Sequence, residues 1–387
     1  MNLELSEEQS AVRDLAASFT DREVVPHAAE WDRAESVDRA IIGKLAKVGF
    51  LGLTIPEEYG GSGGDHLAYC LVLEELGRGD SAVRGIVSVS LGLVGKSVNA
   101  FGTEEQKRHW LPRLTSGEAL ACFALTEPGT GSDAANLTTR AVRDGGDWLI
   151  SGAKTFITNG TWADVALVFA RTGGDAPEQR GHRGITAFLV PTDLPGFTRT
   201  DIHGKLGLRG QATAALSFED VRVPDSARLG EVGKGFTVAM AALAKGRMSV
   251  AAGCVGIARA CLETAVRYAG EREQFGRPIA SHQLVQELLA GIAVDVEAAR
   301  LLTWKVADHI DRGLPFATES SVAKLYASEA AVRAANNALQ VFGGYGFIDE
   351  YPVGKYLRDA RVMTLYEGTS QIHQLLIGRA LTGVNAF

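Results

Sequence analysis

The sequence predicts an α+β protein, mainly α, in three parts: an N-terminal helical domain over 1–120, a central β-barrel or sandwich over 121–232, and a C-terminal four-helix bundle over 233–387. Three observations predict it. Apolar residues recur at helical spacing through the first third. Short β-like runs, parted by Gly, Asp and Pro, fill the middle. Long helical stripes then return, with lengths expected of an antiparallel bundle. The 387 residues, 46% of them hydrophobic, can bury a large core, and such a length exceeds the usual single domain.

In the first part, Ser6 with Gln9 makes a capping-box pattern, followed by Val12, Leu15, Ala16 and Phe19 on one face. Pro26 interrupts that helix. Ile41, Ile42, Leu45 and Val48 form a second stripe, stopped by Gly49; Leu67, Leu71, Leu73 and Leu76 form a third, closed by Gly77. Thr103 with Gln106 caps a short helix before Pro112. The glycine-dense connector 55–64 reads as a structural turn, since no phosphate-loop pattern follows it. In the second part, strands are expected at 148–150, 165–169, 185–190 and 215–218. Thr172 to Arg183 reads as an exposed, mobile loop. In the third, helices are expected over 236–270, 281–312 and 317–342, with a fourth from near Thr369.

A net charge of −7 gives no general attraction to nucleic acid or anionic lipid. Any polyanionic cofactor must be held by local donors. The four cysteines, Cys70, Cys122, Cys254 and Cys261, show no CxxC pair and no zinc spacing, so no metal is expected and a reducing compartment fits. The N-terminus lacks the basic and apolar regions of a signal peptide. The apolar runs carry Lys, Arg or Glu, so no membrane span is expected. The chain reads as soluble and cytoplasmic.

Two strings carry chemistry. In Ala124-Leu125-Thr126-Glu127-Pro128-Gly129-Thr130-Gly131-Ser132-Asp133, successive N–H groups around Gly129, Thr130 and Gly131 can form an anion-binding concavity, with Ser132 adding a hydroxyl. Glu127 and Asp133 read as turn caps. In Leu365-Tyr366-Glu367-Gly368-Thr369-Ser370-Gln371, one carboxylate stands among small residues. Alone it reads as an exposed turn acid or a helper for the next helix cap.

Together these strings resemble the acyl-CoA dehydrogenase family of flavoproteins: the first matches the family's first signature, and the stretch from Gln340 through Glu350 and Lys355 to Asp359 matches its second. The likeness runs along essentially the whole chain and implies the acyl-CoA dehydrogenase fold with FAD bound. It implies flavin contacts from Phe123, Ala124, Leu125, Thr126, Gly131 and Ser132. Phe156, Ile157 and Thr158 match the second flavin segment, where the family usually has Trp in place of Phe156. Arg272 and Phe275 match a pyrophosphate-binding turn, and Gln283 another cofactor contact. Gln340, Gly343 and Gly344 match a turn that holds the cofactor of a neighbouring subunit, which implies an oligomer, expected to be a tetramer. Thr369 and Gln371 match further cofactor contacts.

By the same resemblance Glu367 is the base that removes the α-proton of an acyl-CoA thioester, with flavin N5 accepting the β-hydride. Desolvation by the acyl chain would raise its pKa towards working pH. Ser132, Ala244, Arg247 and Gly368 fall at substrate-binding positions, although the family usually has Asp where this chain has Ala244. Some members carry the base at the position of Gly246 instead. The product expected is the trans-2-enoyl-CoA, and the electron sink an electron-transfer flavoprotein. Short or short-branched acyl chains are favoured. Open alternatives are an oxidase passing electrons to oxygen, a dehydrogenase of carrier-protein thioesters, and a non-enzymatic flavoprotein module.

Overall fold

The computed structural model describes residues 4–173 and 181–385. Within the loop expected over Thr172–Arg183, residues 174–180 lie outside the described residues. The chain opens with α1 (Glu7–Glu23), closed by the Ser6–Gln9 box in both directions. A tight turn at Pro26 leads to α2 (Ala28–Ala34) and α3 (Ile41–Lys47). Next come α4 (His66–Gly79), α5 (Ser81–Val87), a wide π-helical turn at Ser88–Gly95, α6 (Lys96–Phe101) and α7 (Glu104–Thr115). The Thr103–Gln106 box starts α7, but Pro112 lies inside that helix and does not end it.

The middle part holds eight strands in one sheet: β1 (Ala121–Ala124), β2 (Arg140–Asp144), β3 (Asp147–Thr158), β4 (Val165–Arg171), β5 (Ile185–Pro191), β6 (Phe197–Asp201), β7 (Thr213–Pro224) and β8 (Arg228–Leu229). The order is β6-β7-β3-β2-β4-β5-β8, with β1 parallel to β4. Its two halves join through one residue pair, Arg140 with Arg171. They share a core in which Ile150, Val168, Phe188, Leu216 and Val223 are buried. All four expected strand runs fall inside these elements.

The last part is built from α8 (Gly235–Glu271), a small hairpin of β9 (Glu273–Gln274) and β10 (Arg277–Pro278), then α9 (Gln283–Asp311), α10 (Ala317–Phe342), α11 (Val353–Met363) and α12 (Ser370–Thr382). Thr369 caps α12, its hydroxyl accepting the N–H of Ile372. The three long helices match their expected spans within two residues.

Gly77 corrects one expectation. The α4 helix runs through it to Gly79. A Cβ at Gly77 would stand 2.6 Å from the Gly253 carbonyl oxygen, and one at Gly256 2.1 Å from that of Glu74. These glycines let α4 and α8 cross in backbone contact, which locks the first part onto the bundle. A second correction concerns hydropathy. Ser81–Phe101 and Gly235–Glu271 are long and apolar enough to cross a bilayer by length and composition. Their apolar windows are 100% and 78% buried within the fold, so both serve as core helices.

Candidate active site

Between α11 and α12 the chain turns through Thr364–Thr369. The Ser370 N–H donates to the Thr364 carbonyl at 3.1 Å and closes the loop. At its tip Glu367 (φ 51°) and Gly368 (φ 98°) are both left-handed. A side chain in that region stores strain and persists only where its surroundings enforce it. Glu367 Oε2 is buried and accepts no hydrogen bond. Burial pushes its pKa up to about 7, with Arg84, Lys324 and Arg247 opposing the rise. Among the described residues the Glu367 N–H donates to no group.

Space for this carboxylate comes from α8. A Cβ at Gly246 would stand 2.2 Å from Glu367 Oε2 and 2.7 Å from Leu93 Cδ2. Leu93 belongs to a small apolar cluster with Val89 and Ala242, against which Phe123 packs. The wide turn after α5, α8 and the end of β1 thus set an apolar cluster beside a carboxylate whose pKa burial pushes up to about 7. Such a group can take a proton from carbon and hold it out of water.

Two residues that sequence reasoning missed lie beside Glu367. Arg84, fully buried on α5, donates from Nη2 to the Tyr366 hydroxyl at 2.5 Å; its Nε is buried without a partner. The second is Lys324, fully buried on α10, whose Nζ donates to the Gly368 carbonyl at 2.7 Å. One signal was readable: each is a cation flanked by small or apolar residues in an apolar or alanine-rich helix, where buried charge is rare unless used. Arg247 lies beside them, with a 3.4 Å contact from Nη1 to the Ser321 hydroxyl and an unpartnered Nε. Ala244 stands half-buried one turn before it.

The loop after β1 is fixed by a buried ion pair. Lys154 Nζ reaches Glu127 Oε1 at 2.8 Å and the Leu125 carbonyl at 3.0 Å. Glu127 also accepts the N–H groups of Thr138 and Thr139. Burial would raise its pKa, but Lys154 and these donors bring it down to about 2. The turn Glu127–Thr130 closes on itself in both directions, so the Thr130 N–H is spent internally. This corrects the expected concavity, in which only Gly129 and Gly131 retain N–H groups without main-chain partners among the described residues. Nothing lies within 4 Å of a Cβ at either.

Thr155 N–H donates to the Thr126 carbonyl at 2.9 Å, which ties this loop to the end of β3. There Phe156 is left-handed (φ 57°) and 68% exposed, its ring standing out from the strand. Thr126 and Thr158 are half-buried and Ser132 is exposed. Ala124, Leu125 and Ile157 turn their side chains into the core, which leaves only their backbone to meet a ligand. An aromatic ring, three hydroxyls and open N–H groups on one ledge suit a planar, hydrogen-bonding ring system such as a flavin.

The remaining cofactor candidates gather elsewhere. Arg272, Gln274, Tyr268, Gly343, Gly344 and Tyr345 line a groove of about 500 Å³. Arg272 lies over the Tyr345 ring at 5.4 Å, and no carboxylate pairs with it among the described residues. Phe275 is 93% exposed at the hairpin tip, and Gln283 opens α9. Gln340 lies in the last turn of α10, just before the groove-lining glycines. Gln371, with Ser370, lines a separate groove of about 240 Å³. The Arg272 groove takes none of its lining from the 123–132 ledge. An unpaired guanidinium beside open glycines suits a pyrophosphate.

Three family models match along the chain: "Acyl-CoA dehydrogenase, N-terminal domain" at residues 6–118, the middle domain at 122–221 and the C-terminal domain at 233–382. The chain belongs to the acyl-CoA dehydrogenase family. It is a flavoprotein oxidoreductase that depends on FAD, and its family acts on acyl-CoA thioesters. An acyl-CoA dehydrogenase of Bacillus subtilis is 44% identical over 381 residues, covering 98% of this chain and 100% of the relative. The structure of butyryl-CoA dehydrogenase from Megasphaera elsdenii superposes with a TM-score of 0.95 at 39% identity, covering 98% of this chain and 100% of that one. That of a glutaryl-CoA dehydrogenase from Mycobacterium smegmatis in complex with FADH2 gives 0.94 at 37%, covering 99% and 96%.

Proposed function

We propose that this flavoprotein oxidises a short-chain acyl-CoA to its trans-2-enoyl-CoA, with Glu367 as the base. The observation that carries the reading is the Glu367 carboxylate: buried, unpartnered, and held near neutrality at the wall of an apolar space. FAD supplies the hydride acceptor for the β-carbon. On the protein side, Glu367 Oε2 takes the α-proton. The unused Glu367 N–H is available to the thioester oxygen as negative charge develops there. Phe123, Val89, Leu93 and Ala242 exclude water from the acyl chain.

The ledge of Thr126, Ser132, Phe156 and Thr158 would hold the flavin ring, and Arg272 with Gly343 and Gly344 the pyrophosphate of a neighbouring subunit's cofactor. Supporting this division, the Arg272 groove takes none of its lining from the ledge, and Phe275, Phe347 and Leu381 expose large apolar side chains. A homotetramer in the cytoplasm, passing electrons to an electron-transfer flavoprotein, completes the reading. Four free thiols fit that compartment.

Arg84 favours a second reading, in which the acyl end carries a carboxylate. Its guanidinium is buried, has no ion-pair partner among the described residues, and reaches the hydroxyl of the residue next to the base. Buried charges are normally paired, and one solved relative is a glutaryl-CoA dehydrogenase. Anaerobic bleaching of the flavin by butyryl-CoA and by glutaryl-CoA tests both readings. Bleaching by butyryl-CoA supports the first. Preference for glutaryl-CoA, lost in Arg84→Met, supports the second, and bleaching by neither overturns the function.

A further inference from the structure

We propose that Lys324 is a positioning residue: by holding the Gly368 carbonyl it aims the Glu367 carboxylate and N–H into the acyl space. The inference rests on Glu367 being the base. Lys324 is fully buried, yet no carboxylate lies within ion-pair reach of it among the described residues; its one strong contact is the 2.7 Å bond to the Gly368 carbonyl. A buried ammonium is costly, and here it is spent on the peptide that follows the base.

That peptide needs an external hold. Glu367 and Gly368 occupy two successive left-handed conformations, which no regular hydrogen-bond ladder supports. The turn is tethered at three points. Arg84 on α5 grips the Tyr366 hydroxyl, Lys324 on α10 grips Gly368, and Glu329 on α10 accepts from the Ser370 hydroxyl at 2.5 Å. Two of these tethers come from one helix, so α10 sets both the height and the rotation of the turn. A Cβ at Gly368 would stand 3.0 Å from His373 Nε2, so a side chain there would press on α12 as well as strain the turn.

Lys324 also supplies charge. The groups acting on Glu367 are Arg84 from α5, Arg247 from α8 and Lys324 from α10, while the neutral Tyr69 of α4, Tyr366 and His373 of α12 lie close by. The three cations pull its pKa down against burial. Removing one should therefore both loosen the aim and make the carboxylate harder to ionise.

The test uses the FAD-loaded enzyme. Lys324→Met keeps the bulk and removes the donor and the charge. Lys324→Arg keeps the charge with a different reach. Flavin content is measured first, then anaerobic bleaching by the best acyl-CoA over a pH series. Lys324→Met should keep its flavin, lose on the order of 10- to 100-fold in rate, and shift the acid limb of the pH profile upward by about one unit. Lys324→Arg should return the limb towards its original position. If Lys324→Met sheds flavin, Lys324→Gln, which keeps a donor without the charge, carries the test, with a reduced rate and an acid limb moved upward expected and an unmoved limb overturning the inference. A wild-type rate and limb in Lys324→Met overturns the inference, as does a rate loss with the limb unmoved, which any loosened structure would give. Undiminished bleaching in Glu367→Gln would instead remove the base assignment itself.

Discussion

Gly246→Ala puts a single methyl group against the reacting carboxylate. The added carbon would sit 2.2 Å from Glu367 Oε2 and 2.7 Å from Leu93 Cδ2. Carbon and oxygen atoms need roughly 3.2 Å or more, so the carboxylate must retreat by about 1 Å, and a displacement of that size at a reacting atom typically costs on the order of 10²-fold in rate. Stability should fall by about 1–3 kcal/mol, because the buried Leu93 must shift as well as the carboxylate. Anaerobic flavin bleaching by butyryl-CoA measures the loss, with flavin content and thermal melting as controls. Bleaching within about two-fold of the parent would refute the view that the absence of a side chain at 246 makes room for the base. The same overlap predicts that Gly246→Glu combined with Glu367→Gly regains part of the activity lost in Glu367→Gly alone, since a carboxylate projected from 246 enters the same space.

Other expectations follow from the same geometry. The bleaching rate should rise with pH through about 7 and then level off, because Glu367 works deprotonated and its pKa stands near that value; a flat profile below neutrality would contradict this. Arg272→Ala should lower flavin affinity and shift the protein towards smaller species, read by absorbance and by sedimentation. Full flavin occupancy in a monomer would count against a cofactor shared between subunits. Glu127→Ala should cost about 3–5 kcal/mol in urea unfolding, because it strands the buried Lys154. The Glu127 contribution should persist down to acid pH, being lost only as the pH falls towards about 2.

Sequence periodicity made the bundle legible because α8, α9 and α10 are long, and each error at their ends is small. Gly77 misled because a glycine after a helical stripe usually ends the helix, whereas here it serves a crossing with Gly253 on a distant segment. Pro112 misled in the same way, since the tertiary packing of Trp110, Leu111 and Leu114 keeps α7 going past it. The stretch 81–101 offered no stripe at all, because it is buried on every side. Around the site, Glu367 could be singled out by its small neighbours and family pattern. Arg84 and Lys324 could not, for their meaning depends on which helices meet the 364–370 turn. The spent N–H of Thr130 likewise emerges only once the turn from Glu127 is seen to close on itself.

Glu367→Gln tests the central claim most directly. The substitution preserves size and leaves Thr369 and Gln371 untouched, so flavin content should match the parent. Anaerobic bleaching by the acyl-CoA that the parent oxidises best should fall by at least the 10²- to 10⁴-fold typical of losing a general base, since among the described residues the neighbouring cluster of Val89, Leu93, Ala242 and Phe123 holds no proton acceptor. Undiminished bleaching in this variant would show that another group removes the α-proton and that the reading of the 364–370 turn is wrong.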